Sequence, residues 1–391
     1  MVSPNIRHAP RVLASFWWPR LHFGMPLTDD LRFYAGKRVL VTGHTGFKGA
    51  WLCEWLLSLG ADVYGLALPA PKLSLFFALE LDRRMKHAIQ DIGNLHQLQH
   101  ALDEWKPEII FHLAAQALVR VSYREPVSTF ATNALGTANL LESVRTSHLP
   151  CSIVAVTTDK CYDNDGRARS FKETDPLGGH DPYSASKAAA EIIIASYRDS
   201  FFAHGIDVAL ASARAGNVIG GGDWAEDRIV PDAIRALTAG KPIPVRNPDY
   251  TRPWQHVLEP LGGYLLLGAK LEQARVSKSP EQIARYAQAF NFGPLPGANR
   301  RVREVVEEIL KHWPGRWEQV VQEKHLKEAP LLSLAIDKAK AVLDWTPCWD
   351  FARTVAETVA WYREHDSGSP GLREFTQKQI ASYASASAQS R

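Results

Sequence analysis

The amino-acid sequence predicts an α/β fold, a doubly wound parallel sheet followed by a smaller C-terminal substrate-binding domain. Three observations carry this prediction. A β-branched strand pattern runs into glycines at positions 43, 46 and 49 and then into a helical pattern. Strand and helix patterns then alternate up to a helix near residue 183, as a doubly wound sheet requires. Beyond residue 214 the sequence becomes irregular and rich in glycine.

The first strand is predicted at Val39 to Val41, because a short β-branched run is typical of a buried parallel strand. The helix is predicted from Trp51 to Leu59, where apolar residues recur at helical spacing before Gly60. A loop of this kind directs backbone N–H groups and a helix N-terminus at a pyrophosphate, as in Rossmann-type dinucleotide sites. Its spacing, G-x-x-G-x-x-G, differs from the usual G-x-G-x-x-G. The candidate cofactor ligands in it are Gly43, His44, Thr45, Gly46, Phe47 and Gly49.

Three later strands are predicted at 63–68, 109–113 and 153–157. Ligands gather at the carboxyl ends of such strands, which makes the residues that follow them site candidates. Those residues are Leu113, Ala114, Ala115, Gln116, Thr158 and Asp159. The segment 66–72 lacks the acidic residue that usually accepts a hydrogen bond from the ribose of NAD. We therefore expect modest NAD affinity and weak discrimination against NADP.

Tyr183 and Lys187 are four residues apart, so a helix would place both side chains on one face. A neighbouring ammonium stabilises phenolate, which would bring a tyrosine of ordinary pKa about 10 closer to acting as a base. Tyr-x-x-x-Lys alone is weak evidence, since this spacing is common on solvated helices. Its position after the glycine loop and the strand ending at Thr158 makes it a candidate catalytic pair.

Together, the glycine loop, Thr158 and the Tyr183–Lys187 pair resemble the extended short-chain dehydrogenase/reductase family over roughly residues 36 to 365. Within that family the chain resembles the sugar-nucleotide 4,6-dehydratases that act on CDP-glucose. The narrower resemblance lies in residues 41–49, 157–162, 213–224 and 251–260. Dehydratases for dTDP and GDP sugars carry Asp-Glu where this chain has Asp159-Lys160, so that dipeptide discriminates between them.

The resemblance implies NAD as cofactor, CDP-glucose as substrate, a homodimer or homotetramer, and a role in deoxysugar synthesis for lipopolysaccharide O-antigen. It implies that Tyr183 takes the proton of sugar O4, that Lys187 lowers the phenol pKa, and that Thr158 hydrogen-bonds O4. Asp159 and Lys160 would carry out the elimination of water. The remaining matched positions are Asp91 and Ile92 for the adenine, and Asn217, Arg228 and Arg252 for the sugar and diphosphate.

The roles of Asp159 and Lys160 stay open at this point. If Lys160 is the base at C5 and Asp159 the acid at C6, both must be neutral, and in water this costs roughly 9 kcal/mol relative to the ion pair. Burial would shrink that gap. The alternative is a charged Lys160 that stabilises the enolate while another group moves the proton. Both side chains reach one sugar only if the strand has ended or bulged at residue 159.

Composition agrees with an ordinary soluble enzyme. The chain has 391 residues, 46% of them hydrophobic, and a net charge of +3, which is too small to indicate a nucleic-acid surface. Its four cysteines show no metal or disulfide spacing, and no apolar run is long enough to span a membrane. We expect a cytoplasmic protein with no metal, no nucleic-acid partner and no membrane association.

We expect four regions: an N-terminal arm at 1–35, an NAD-binding domain at 36–214, a mainly substrate-binding domain at 215–365 and a flexible tail at 366–391. Some segments of 215–365 are allowed to return to the NAD-binding domain. Trp17 and Trp18 lie in the arm, which holds no residue that the chemistry needs. We expect that the arm could result from translation at a non-native start codon. Helices are expected at 302–310 and 351–362. Two other functions remain open: an NAD-dependent 4-epimerase or reductase, and a non-catalytic dinucleotide-binding protein.

Overall fold

A computed structural model of the chain describes residues 29–166, 169–295, 297–320 and 332–390. Most of the predicted N-terminal arm, including Trp17 and Trp18, lies outside the described residues. Within the described part of the chain, no helix combines the length and apolar character needed to cross a bilayer.

The regular elements follow the predicted alternation. The strands are β1 Arg38–Thr42, β2 Asp62–Ala67, β3 Lys86–Ile89, β4 Ile109–His112, β5 Cys151–Val156, β6 Val208–Ala215, β7 Val218–Ile219, β8 Ile243–Val245, β9 Thr251–Pro253, β10 Gln255–His256, β11 Ala289–Phe292, β12 Asn299–Arg301 and β13 Trp317–Gln319. The helices are α1 Asp29–Arg32, α2 Phe47–Ser58, α3 Leu75–Ala78, α4 Leu81–Arg84, α5 Leu95–Trp105, α6 Val119–Arg124, α7 Pro126–Phe130, α8 Gly136–Thr146, α9 Pro182–Tyr197, α10 Ile229–Thr238, α11 Leu258–Val276, α12 Pro280–Tyr286, α13 Val302–His312, α14 Phe351–Asp366 and α15 Leu372–Gln389. A 3₁₀ turn spans Asp159–Cys161, and π-helical segments span Ala131–Leu135, Arg198–Phe202 and Ala339–Leu343.

The central sheet confirms the predicted fold class. Its seven strands are all parallel, in the order β11-β6-β5-β4-β1-β2-β3. The strand order reverses at β1, which has β2 on one side and β4 on the other. In such sheets the crevice at the carboxyl ends beside this reversal is where ligands bind. The topology therefore directs attention to the residues that follow β1, β4 and β5.

Helices cover both faces of this sheet, which explains why its inner strands are buried along almost their whole length. The larger apolar cluster contains Trp51 and Trp55 of α2 and much of α11. A second cluster contains Leu98 of α5, Leu140 of α8 and Ile194 of α9. Strand β11, late in the chain, pairs with β6, so part of the C-terminal half returns to the central sheet. Strands before and after β11 form the small pairs β7–β10, β9–β12 and β8–β13.

The prediction of a flexible tail at 366–391 is wrong. Residues 372–389 form α15, whose buried face includes Thr376, Ile380 and Tyr383. The Thr376 hydroxyl accepts a hydrogen bond from the indole of Trp361, at 2.9 Å. The Tyr383 hydroxyl donates to Glu259, also at 2.9 Å. Alanine and serine, which made the segment look unstructured, are compatible with a helix once neighbouring elements bury one of its faces.

Candidate active site

A cavity of about 1510 Å³ opens at the carboxyl ends of the central strands. Its walls come from the glycine loop, the residues after β4 and β5, the start of α9, and the segments around α10 and β9. Pockets for single drug-sized ligands usually measure about 300–1,000 Å³. The volume and the two different walls suit a dinucleotide together with a second large ligand.

The glycine loop has the close-packed geometry of a pyrophosphate cradle. Gly43 has φ +77°, and a Cβ there would lie 2.7 Å from the backbone nitrogen of Ala114. A Cβ on Gly49 would lie 2.1 Å from the carbonyl oxygen of Gly43. Gly46 begins α2 as its N-cap without a side-chain hydrogen bond, which leaves the N–H groups of the first turn to a ligand. The residues present therefore fit a dinucleotide.

Most of the predicted cofactor residues line this cavity, but two do not. Those that do are Gly43, Thr45, Gly46, Phe47, Gly49, Asp91, Ile92, Leu113, Ala114, Ala115 and the catalytic candidates Tyr183 and Lys187, which we also expect to contact the cofactor. The ring of His44 is instead fully buried against Gly65, Phe76 and His87. Burial and the neighbouring His87 lower the pKa of His44 to about 4, so the buried ring is neutral at physiological pH. Gln116 also points elsewhere, because its side chain caps Leu118 and contacts Thr129.

The catalytic candidates after β5 lie on a tight turn. Strand β5 ends at Val156, and the 3₁₀ turn then begins at Asp159. The strand has therefore ended before Asp159 and Lys160, which is the condition for both side chains to reach one sugar. The Thr158 hydroxyl donates to Asp159 Oδ1 at 3.0 Å, and Lys160 Nζ lies 3.7 Å from the same oxygen. All three side chains border the cavity.

Tyr183 and Lys187 enter the same cavity from the first two turns of α9. Asp181 caps this helix by accepting a hydrogen bond from the backbone of Ser184 at 2.9 Å. Burial raises the pKa of Tyr183 to about 12, although a hydrogen bond with Thr158 opposes the rise. Burial lowers the pKa of Lys187 to about 8, and its ammonium donates to the carbonyl of Val156 at 3.2 Å. The lowering of the phenol pKa by Lys187 stays a prediction, because burial is the largest cause acting on the pKa of Tyr183.

The three residues matched to substrate binding also border the cavity. The Asn217 side-chain oxygen lies 3.4 Å from Lys160 Nζ, which links the substrate wall to the catalytic turn. Arg228 begins α10 and donates to Asp223 at 2.8 Å. Arg252 lies on β9, next to the exposed ring of Tyr250.

Sequence reasoning missed two residues of this site. Lys48 lies between the last two glycines of the loop and borders the cavity. Burial and the nearby Arg228 lower its pKa to about 8, while Asp159 opposes that shift. Its place inside the glycine motif was the available signal. Buried Asp223 orients Arg228, and nothing in its sequence position distinguishes it from a loop residue.

Known proteins are similar to this chain in sequence and in fold. The profile of the family described as GDP-mannose 4,6 dehydratase matches residues 40–358. The chain is 42% identical to the CDP-glucose 4,6-dehydratase of Salmonella typhimurium (strain LT2), over 91% of this chain and 99% of that protein. It is 27% identical to the UDP-glucose 4-epimerase of Mycolicibacterium smegmatis, over 83% of this chain and 98% of that protein.

A solved structure agrees with the fold. DesIV, a dTDP-glucose 4,6-dehydratase from Streptomyces venezuelae whose structure holds NAD, superposes with a TM-score of 0.71. The two sequences are 25% identical, and the match covers 86% of this chain and 99% of that one. The chain therefore belongs to the GDP-mannose 4,6 dehydratase family, among the extended short-chain dehydrogenases/reductases.

Proposed function

We propose that this protein dehydrates CDP-glucose to CDP-4-keto-6-deoxyglucose with NAD as its cofactor. The observation that carries the proposal is the catalytic turn, where Asp159 and Lys160 stand beside Thr158 and share a cavity with Tyr183. An oxidoreductase or epimerase needs the Thr158–Tyr183 part alone. A dehydratase also needs an acid and a base that can reach C5 and C6 of the sugar.

The glycine loop and the strand ends would hold the cofactor, with Asp91 and Ile92 at the adenine. The chemistry that NAD supplies when bound is reversible hydride acceptance, first from C4 and later returned to C6. The protein's own part in the first step is proton transfer. Tyr183 receives the O4 proton as C4 becomes a ketone, and Thr158 hydrogen-bonds O4. Because no acid follows β2, we also propose that NAD is held modestly and is preferred only weakly over NADP.

In the second step the C5 proton is removed to give an enolate, and water leaves from C6 after its hydroxyl is protonated. We propose that the Asp159 carboxylate takes the C5 proton and, as the resulting carboxylic acid, delivers it to the C6 hydroxyl, which leaves as water. The side chain of Lys160 is 24% exposed and lies beside the Asp159 carboxylate, an environment that favours the ion pair over its neutral tautomer. We therefore favour a charged Lys160 that stabilises the enolate in the resting arrangement of the site.

For the substrate, Arg228 and Arg252 would bind the diphosphate, because guanidinium groups match phosphate oxygens in geometry and charge. Asn217 would contact the sugar next to Lys160. The proposal that the nucleotide of the substrate is CDP rests on the Asp159-Lys160 dipeptide and on the 42% identity to the Salmonella enzyme. The product would be a precursor of deoxysugars, such as those of lipopolysaccharide O-antigen.

The test is a substrate panel. Purified protein with added NAD is incubated separately with CDP-glucose, UDP-glucose, dTDP-glucose and GDP-mannose, and the 4-keto-6-deoxy product is measured. We expect product from CDP-glucose and far less from the others. Release of a C4-inverted sugar nucleotide without loss of water would support the epimerase alternative. The absence of any turnover would support the non-catalytic one.

We further propose a cytoplasmic homodimer or homotetramer. Helices α7 and α9 and the π-helical segment between α7 and α8 pack together and leave apolar side chains in solvent. Val127 is 81% exposed, Leu135 60% and Ile192 59%. Such a patch is typical of a surface that a second subunit covers. Light scattering of the full chain tests this state.

A further inference from the structure

A buried polar network lies directly behind the catalytic turn, and the proposed chemistry does not use it. The Glu191 carboxylate accepts hydrogen bonds from the hydroxyl of Thr157, from Ser212 at 2.8 Å and from Arg214 at 2.8 Å. The exposed fraction of the side chain is 3% for Glu191 and 5% for Arg214. Taking a charge pair this far from water is costly, and apolar replacements of buried pairs are often tolerated. Stability alone therefore does not account for its presence.

This network holds the catalytic turn from both sides. Thr157, bound by Glu191, immediately precedes Thr158. Tyr162, which follows the 3₁₀ turn, accepts a hydrogen bond from Arg214 at 2.9 Å and donates to Asn291 at 2.7 Å. The three catalytic residues of the turn therefore lie between two anchors that share one ion pair. A displacement of either anchor moves Asp159 and Lys160 relative to the substrate.

The same carboxylate also acts on Lys187 through its charge. Glu191 follows Lys187 by one helical turn on α9, and its charge favours the ammonium form against the effect of burial. The other titratable groups that act on or feel Lys187 are Cys161 on the turn, Lys48 on α2 and His112 on β4. Among these, Glu191 and Cys161 are the two that favour the charged amine.

We propose that Glu191 and Arg214 are positioning residues for the dehydration: they clamp the turn that carries Thr158, Asp159 and Lys160, and Glu191 holds Lys187 as an ammonium. The inference rests on the proposed function for its assay. It predicts two separable effects, one of geometry on turnover and one of charge on pH dependence. A role in stability alone produces neither in folded protein.

The chain supplies a matched control. Glu272 is fully buried and accepts hydrogen bonds from Ser152 at 2.8 Å and from Arg275 at 2.7 Å. Like Glu191, it joins an arginine to a hydroxyl contributed by the β5 segment. Ser152, however, lies at the N-terminal end of β5, away from the cavity. Glu272→Gln should lower thermal stability as Glu191→Gln does, without changing kcat or its pH profile.

The experiment measures kcat and KM for 4-keto product formation from neutral to alkaline pH, with NAD added. In Glu191→Gln, loss of the negative charge should let the Lys187 ammonium lose its proton at lower pH. The alkaline limb of the kcat profile should then move to lower pH by about one pH unit or more. Glu191→Asp keeps the charge but withdraws it by one methylene. The alkaline limb of Glu191→Asp should fall at the wild-type pH, whereas its kcat should be about 10- to 100-fold lower, with a smaller change in KM.

Melting curves show which variants are folded. If folded Glu191→Gln shows the wild-type alkaline limb, Glu191 does not keep Lys187 charged. If Glu191→Asp has the wild-type kcat, Glu191 does not position the catalytic turn. If Glu191→Gln does not fold, Glu191→Asp and Thr157→Val, which removes the hydroxyl donor alone, decide the clamp by the same kcat criterion. The wild-type reaction with CDP-glucose reports on the proposed function separately, because the inference depends only on ratios of variant to wild type.

Discussion

Gly216 is the residue whose replacement should separate dehydration from oxidation most cleanly. A Cβ on this glycine would lie 2.9 Å from Asp159 Oδ2. Ordinary contact begins near 3.4 Å, so the carboxylate must withdraw by about 0.5 Å. Asp159 is 2% exposed and is held by Thr158 and Lys160, which leaves it little room to do so. Since misplacement of a catalytic group by about 1 Å can cost 100-fold, we expect Gly216→Ala to slow elimination by about 10- to 100-fold.

Oxidation at C4 should be nearly unchanged in this variant, because Gly216 does not crowd Tyr183 or Thr158. Single-turnover absorbance of NADH reports the oxidation, and the 4-keto-6-deoxy product reports the complete reaction. The variant should therefore accumulate NADH that wild type does not. Gly371→Ala is the matched control, since its Cβ would make an ordinary contact of 3.4 Å far from the site. Equal slowing of both steps in Gly216→Ala would refute the reasoning.

Three further predictions follow from the site. Tyr183→Phe should abolish NADH formation as well as product, and an appreciable NADH transient would remove Tyr183 as the O4 base. Asp159→Asn and Lys160→Met should leave C4 oxidation comparatively intact and lower the rate of elimination about 100-fold or more. Deuterium exchange at C5 would show which residue moves that proton. Equal loss of both steps would mean that the pair only shapes the site. Gly49→Ala places a Cβ 2.1 Å from the Gly43 carbonyl and should raise the Kd for NAD at least about tenfold by calorimetry, whereas unchanged affinity would contradict the cradle.

Those parts of the molecule that depend on local pattern were predictable. The strands around Val39, Ile109 and Ile153 are buried on both faces, so each appears in the sequence as a nearly continuous apolar run. Parallel strands of one sheet end at a common edge, and that geometry brought Thr158 and Ala114 to one cavity without any knowledge of distances.

What could not be predicted depends on contacts between distant segments. The orientation of His44 is set by Gly65, Phe76 and His87, which lie outside its own loop. The folding of α15 depends on Trp361 and Glu259, which no local pattern near residue 380 reveals. Glu191 escaped notice for the same reason, because its partners Ser212 and Arg214 lie on another strand.

Burial places a specific demand on the first chemical step. With a pKa of about 12, Tyr183 would need roughly 7 kcal/mol to stand as phenolate at neutral pH. Lys187 lies one helical turn after Tyr183, and its ammonium, which donates to the carbonyl of Val156 at 3.2 Å, can lower that cost. A phenol that keeps its own proton cannot accept another, so Tyr183 reacts through the small fraction present as phenolate at neutral pH. The O4 proton should move to that phenolate as the C4 hydrogen departs, when the sugar oxygen no longer competes for it. Deuterium at C4 and deuterated solvent should then both slow the single-turnover appearance of NADH, and the two effects should persist together in doubly labelled reactions. A solvent effect that disappears when C4 carries deuterium would instead show that the proton leaves in a separate earlier step.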